Sequence, residues 1–394
     1  MCSTVQSTRT VELPVRHILV TNDFPPKIGG IQSYLWELWR RLPPDDVTVL
    51  TTAHDQAYAF DAEQLFRVER VREPVLLPSP ILTRRVRRLV AEVDAQAVII
   101  DPALPLGWMG RSLPVPYGLI LHGAEVTVPG RLPASRQVLA KVVRSSSLLI
   151  AAGGYPEAEA RRAVGNDNDM PRVVRIPPGV DTSRFAPMSA LDRAGTRARL
   201  GLPVNAPVVL SVSRLVPRKG MDTLIDAAAK LAGRFDGLVV AIAGVGRDRT
   251  RLEHRIKRTR APVRLLGHVS NHDLPALYAS ADVFAMSCRS RWRGLEQEGF
   301  GIVFLEAAAA GLASVAGDSG GAAEAVVDGQ TGLVIARPDN PTDLADALDK
   351  LLSTPALARR MGADARRRAV EAYSYDELAG QLGAALDNLR ISAD

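Results

Sequence analysis

The feature that most constrains this chain is a repeated unit: a short apolar run, a turn with glycine or polar residues, then a helical pattern. Apolar runs stand at residues 16–22, 47–51, 97–101, 117–121, 147–151 and 172–176, with helical stretches between most of them. A second series follows at 207–213, 238–243, 263–266, 282–286 and 314–316. Short apolar runs alternating with helices belong to parallel sheets covered on both faces, so the pattern predicts an open, doubly wound α/β fold. A chain of 394 residues exceeds one ordinary domain and suits two. The turn formers of 177–187 close the first series, which sets the expected domains at 1–187 and 188–372. The remainder, 373–394, holds a final helix at about 375–390 that could return to the first domain as easily as stay with the second. Two such halves joined by a hinge imply a cleft at the carboxyl ends of the strands, where this class of fold binds ligands.

Composition narrows the class. With 46% hydrophobic and 23% charged residues the chain is globular. Cys2 and Cys288 are the only cysteines, which leaves neither a disulfide framework nor zinc spacing and fits a reducing cytoplasm. The first residues lack the apolar core of a signal peptide, and no uninterrupted apolar segment reaches membrane-spanning length. A net charge of +6 suits an anionic substrate or membrane surface. Aromatics are only 5% and interleave no basic motif, so nucleic acid is not expected as a partner.

The chemistry concentrates at the ends of the apolar runs. Glu298-Gly-Phe-Gly-Ile-Val-Phe-Leu-Glu306 brackets a glycine turn and an apolar run with two carboxylates. A helix starting near Gly301 would present free N–H groups beside Glu298 and carry Glu306 one turn further in. Eight helical residues span roughly 12 Å, enough for two acids to hold different parts of one elongated ligand. Taken alone, the same stretch also reads as a surface loop before a core helix.

Arg214 leaves the end of one run and Lys219 stands one loop later, a diphosphate clamp or a solvated basic loop. Gly29 and Gly30 open a helix and could offer backbone donors, or form a plain turn. His122 follows the run 117–121, placed to donate to a sugar hydroxyl, to steer a proton, or to serve structure. Gly244 and Gly246 form half a dinucleotide fingerprint without its third glycine. Ser319-Gly-Gly321 with Glu324 is a further glycine turn suited to phosphate. Asp167-Asn-Asp169 imitates a metal-binding Asp-x-Asp but follows no strand, and reads as a solvent turn. No metal site is expected. Arg84, Arg85, Arg87 and Arg88 share a helical pattern with Ile81, Leu82, Val86, Leu89 and Val90, suited to anionic lipid or to an ordinary solvated face.

In this order the motifs resemble retaining glycosyltransferases of family 4, whose GT-B architecture is two facing Rossmann-like domains with an interdomain cleft. TNDFPPKIGGIQSY (21–34), SRLVPRKG (213–220) and EGFGIVFLEA (298–307) are most similar to the GDP-mannose-dependent phosphatidylinositol monomannoside mannosyltransferases. The resemblance implies transfer of α-mannose from GDP-mannose, as donor substrate, to an inositol phospholipid or glycolipid, at the cytoplasmic face of the cell membrane and with no metal or cofactor. By the same resemblance, Arg214 and Lys219 hold the diphosphate, with Gly29, Gly30, Gly244, Gly299, Phe300, Gly301, Ile302 and Val303 around the donor. Glu306 takes the ribose, Glu298 the mannose, and the backbone near Gly267 and Val269 the base. His122 faces the reacting sugar. Asp23 and Gln32 stand on the acceptor side, and the four arginines of 84–88 on the membrane. A UDP-sugar donor, another acceptor, and a catalytically silent nucleotide-sugar binder remain as alternatives.

Overall fold

The computed structural model describes residues 14–292, 296 and 298–391. Among them, thirteen strands form two sheets, and every pairing described runs parallel. The first sheet contains β1 (His17–Thr21), β2 (Val47–Thr52), β3 (Arg67–Val71), β4 (Ala97–Asp101), β5 (Tyr117–Leu121), β6 (Leu148–Ala151) and β7 (Arg172–Arg175). Its order is β3-β2-β1-β4-β5-β6-β7. The second contains β8 (Val208–Val212), β9 (Val239–Ala243), β10 (Val263–Gly267), β11 (Val283–Met286), β12 (Ala313–Gly317) and β13 (Gly332–Ile335), ordered β10-β9-β8-β11-β12-β13. Both orders reverse beside the first strand of the sheet, between β1 and β4 and between β8 and β11. These reversals leave crevices outside the strand ends.

The strands read from the sequence include all the fully buried ones, together with the edge strands β7 and β10, which have no buried residue. β1, β2 and β4 are buried at every residue. Two strands were not legible, and both lie at sheet edges. β3 reads Arg-Val-Glu-Arg-Val with only Val71 buried, because an edge strand packs on one side and needs no continuous apolar run. β13 is four residues long and opens on Gly332, where a Cβ would come 2.1 Å from the Ser314 carbonyl oxygen.

The helix Ile302–Ala309 is fixed from beneath by aromatic packing. Phe304 meets Phe284 edge-on at 5.5 Å, Phe284 stacks on Tyr278 at 5.7 Å, and Tyr278 meets Phe185 at 5.6 Å. The last helix, Tyr375–Ile391, reaches Val15, whose N–H donates to Asp387 Oδ1 at 3.2 Å. The chain divides into two compact units. One is drawn from the described parts of Met1–Ile120, Lys141–Leu149 and Ala379–Asp394, the other is Leu121–Ala140 with Ile150–Leu378. Among the described residues no helix is long and apolar enough to cross a membrane.

Candidate active site

The crevice of the second sheet gathers most of the expected donor residues. Beyond β8 the chain passes Arg214, which is exposed, and turns through Pro217–Lys219. Gly220 then takes φ 69°, and a Cβ there would lie 1.9 Å from the Ser287 carbonyl oxygen. Only glycine lets this loop rest on the end of β11. That approach buries Lys219, whose Nζ lies 2.6 Å from Glu298 Oε2. Two groups assigned by resemblance to opposite ends of the reacting bond, the diphosphate and the sugar, are therefore one buried ion pair. The Arg214 guanidinium makes no hydrogen bond or ion pair to a described residue and stays open to an anion.

Glu298 precedes a turn whose last residue, Gly301, has φ 82° and caps the helix Ile302–Ala309 without a side-chain hydrogen bond. The first N–H groups of such a helix have no intrahelical partners, and they sit beside the Lys219–Glu298 pair. A Cβ on Gly299 would meet open space. One turn further in, Tyr278 donates its hydroxyl to Glu306 Oε2 at 2.7 Å. Burial pushes the Glu306 carboxyl up, while the Tyr278 hydrogen bond and the charge of Arg184 oppose it.

Ser319-Gly-Gly321, read from the sequence as a turn suited to phosphate, packs against another loop. Its turn is committed to the Glu298 segment: Gly321 N–H donates to the Glu298 carbonyl at 3.1 Å, and Ser319 Oγ accepts from Glu298 N–H at 3.4 Å. Glu324 is turned away, onto Gly154. Gly244 also has a packing reason, since a Cβ would come 1.8 Å from the Ser213 carbonyl oxygen. Its N–H donates to the Gly267 carbonyl at 2.7 Å, so Gly244 lines the crevice without offering that donor. Gly267 ends β10, and Val269 lies two residues on, partly buried against the core.

The first sheet's crevice is tied differently. Thr21 Oγ1 donates to Asp101 Oδ2 at 2.6 Å and accepts from Asp23 N–H at 2.8 Å. Asp23 Oδ1 in turn accepts from Gln32 Nε2 at 2.6 Å, so these two acceptor-side candidates hold each other. The Asn22 amide exchanges hydrogen bonds with the Leu76 backbone at 2.6 and 3.2 Å. Arg70 donates to the carbonyls of Pro25 and Thr52 and to both oxygens of Asp61. Gly29 precedes the helix Gly30–Trp39, whose amino end has no side-chain cap.

At the end of β5, His122 is partly exposed, and its N–H and that of Gly123 both donate to the Glu125 carboxylate. The basic helix Pro80–Glu92 buries Leu82, Val86, Leu89 and Val90, whereas Ile81 is 73% exposed and outside the core. Arg85 pairs with Glu69 and Arg87 donates to the Ser112 carbonyl, which leaves Arg84 and Arg88 exposed without described partners. Asp167–Asp169 is an exposed turn in which Asp167 pairs with Arg161 at 3.0 Å, the solvent turn expected.

Sequence reasoning missed three residues around the donor crevice. Tyr278 holds Glu306. Asp222, on the first turn of the helix Met221–Leu231, accepts from Arg289 at 2.9 Å through both oxygens and from Arg251. Burial would raise the Asp222 carboxyl, but these two arginines hold it below the usual carboxylate range. Arg289 also donates its N–H to the Arg218 carbonyl at 2.9 Å, bracing the Lys219 loop from both sides. A charged residue three positions beyond the end of β11 was a signal for Arg289. Tyr278 and Asp222 sit within helices and carried none. A cavity of about 570 Å³ opens at the opposite, amino-terminal edge of the second sheet, lined by Arg193, Arg197 and Asp282 among others, and contains none of the donor residues.

Comparison with known proteins matches the two halves to two family models: Glycosyltransferase Family 4 over residues 28–184 and Glycosyl transferases group 1 over residues 192–368. A GDP-mannose-dependent alpha-(1-6)-phosphatidylinositol monomannoside mannosyltransferase of Mycobacterium tuberculosis is 39% identical, over 93% of this chain and 97% of that protein. The monoacylated-acceptor counterpart of Corynebacterium glutamicum is 34% identical, over 93% and 96%. The crystal structure of Anabaena Alr3699/HepE in complex with UDP and glucose superposes with a TM-score of 0.76, over 95% of this chain and all of that one, at 22% identity. That likeness speaks for the fold. The relatives' identity across nearly the whole chain, and the family models on both halves, make this protein a family 4 glycosyltransferase with the GT-B architecture.

Proposed function

We propose that the protein moves an α-mannosyl group from GDP-mannose to a phosphatidylinositol mannoside or related lipid, with retention of configuration and without a metal ion. The observation that carries this reading is the Lys219–Glu298 pair at the uncapped amino end of the helix Ile302–Ala309, with Arg214 open beside it. The arrangement supports a specific set of roles. A diphosphate takes up Arg214, Lys219 and the N–H groups of Gly301, Ile302 and Val303. Glu298, next to the phosphates, then orients the mannose hydroxyls. Glu306 receives the ribose hydroxyls, and the backbone around Gly267 and Val269 meets the base.

As the bond from the anomeric carbon to the phosphate oxygen breaks, its electron pair moves onto the departing diphosphate. The cations and backbone donors stabilise that charge, each donor contributing about 3–4 kcal/mol. The phosphate oxygen takes the proton of the acceptor hydroxyl, which attacks from the same face and so retains configuration. His122 lies by the reacting sugar, and Asp23 and Gln32 on the acceptor side. The helix Pro80–Glu92 rests on anionic lipid at the cytoplasmic face, with Arg84 and Arg88 toward headgroups and Ile81 toward acyl chains.

Incubation with labelled GDP-mannose and a panel of inositol lipids, with linkage analysis of the product, tests the reading. Mannosylation of a phosphatidylinositol mannoside in the presence of chelator is expected, with GDP and not UDP raising the melting temperature. A UDP preference or an absolute need for magnesium or manganese would overturn it.

A further inference from the structure

Glu324 remains unused by the donor chemistry, yet it makes an unusual contact. Beyond β6 the chain turns through Gly153 and Gly154 into the helix Gly154–Val164, which has no side-chain cap of its own. Both oxygens of the Glu324 carboxylate accept from Gly154 N–H, at 3.1 and 3.0 Å, across 170 residues of sequence. A carboxylate at a helix amino end is held by the free N–H groups and by the helix dipole.

Glu324 is also anchored on its own side. Its carbonyl accepts from Arg368 Nη2 at 2.7 Å and from the Tyr373 hydroxyl at 3.4 Å, and its N–H donates to the Gly321 carbonyl at 3.0 Å. Gly321 packs on Gly299, and the Tyr373 ring stands 5.7 Å from that of Phe300. The residue is therefore braced on the turn that presents Glu298.

The other end of the contact leads to His122. Tyr155 follows Gly154, and its hydroxyl lies 2.8 Å from Thr127 Oγ1, which donates to the Gly123 carbonyl at 2.9 Å. A Cβ on Gly123 would meet the Tyr155 ring at 3.7 Å, and one on Gly153 would meet Glu324 Oε2 at 3.1 Å and Phe300 at 3.6 Å. Every residue on this path lies in the unit formed by Leu121–Ala140 and Ile150–Leu378.

We propose that Glu324 and Tyr155 are positioning residues that set the His122 turn against the turn carrying Glu298 and Phe300, and so align the residue beside the reacting sugar with the residues that hold the donor. The inference rests on the donor assignment above, but one of its tests does not.

The test uses the full chain with Glu324→Gln, Glu324→Ala and Tyr155→Phe. Amide hydrogen exchange without substrate is expected to quicken at 122–127 and 153–156 in Glu324→Ala, with 218–224 unchanged. GDP affinity should stay within about twofold while kcat falls about tenfold, and the effect should largely vanish in a His122→Ala background, since coupled residues are not additive. The isosteric Glu324→Gln should lie between wild type and Glu324→Ala, and it carries the test if the alanine variant fails to fold. Unchanged exchange at 122–127, a kcat equal to wild type, or a loss that multiplies with His122→Ala would overturn the proposal. A wild-type protein inactive on GDP-mannose would sink the donor reading instead, leaving the exchange result to decide this one.

Discussion

The crevices of the two sheets arise at the same topological position and are built in opposite ways. In the first, the loop after β1 is held by polar tethers that are already satisfied: Asn22 to the Leu76 backbone, Asp23 to Gln32, and Arg70 to Pro25. In the second, the loop after β8 holds a buried ammonium and carboxylate against each other and leaves Arg214 uncommitted. Satisfied tethers leave the polar groups of that loop committed to the protein itself. On the proposed reading, an arriving phosphate would compete for Lys219 and redirect Glu298, so the electrostatics of this site would change on binding. On the same reading, the first edge receives the hydroxyl acceptor and the second the diphosphate.

This contrast can be broken at either edge. Lys219→Ala should have the largest effect, lowering kcat by on the order of a thousandfold. It should also destabilise the fold by about 3–5 kcal/mol, because Glu298 is left buried and unpaired. The double variant Lys219→Met/Glu298→Gln is expected to recover most of that stability and none of the activity, as read by urea denaturation beside the labelled-donor assay. Recovered activity would mean that the pair is structural only. At the other edge, Arg70→Met should lower kcat/KM for the lipid acceptor about tenfold and leave GDP affinity unchanged, since the bonds it loses, to Pro25, Thr52 and Asp61, all lie at the first sheet. Equal losses for donor and acceptor would erase the distinction between the edges.

A last effect, on stability and not on activity, concerns pH. His17 on β1 is buried, which lowers its pKa from 6.5 to about 4, against the hydrogen bond to the Val15 carbonyl and the charge of Asp387 that favour the proton. The unfolded chain therefore takes up this proton first as pH falls. The contribution is complete above pH 6.5, declines between 6.5 and about 4, and changes no further below that. Its upper bound is about 3 kcal/mol. Denaturation midpoints of wild type and His17→Asn, compared at pH 7.5 and 4.5, should show a shallower slope in the variant. Parallel slopes would remove His17 from the account.

Buried parallel strands and glycine turns were legible because each is a local pattern: β-branched runs such as Val47–Thr52, and the turn at Gly301 that starts a helix. The edge strands β3 and β13 were not, because a strand packed on one side need not carry a continuous apolar run. Within the crevices, Arg214, Lys219, Glu298 and Glu306 could be singled out from type and place. That Lys219 and Glu298 would meet each other could not, since 79 residues separate them and only the approach of Gly220 to the end of β11 brings them into contact. Asp222 and Tyr278, set within helices, were invisible for the same reason, and the packing of Ser319-Gly-Gly321 on the Glu298 segment was too, because a glycine turn looks alike whether it receives a ligand or another loop.

The amino-acid sequence alone determined the alternation of the buried strands with helices, the placement of the candidate residues at strand ends, and the family. Hydrophobic periodicity and backbone conformation act over a few residues and leave their mark locally. The tertiary structure alone decided which charges neutralise each other, which glycines serve packing, and that Glu324 reaches Gly154. Those outcomes depend on distances across the fold, where a displacement of one or two ångströms makes or breaks a hydrogen bond.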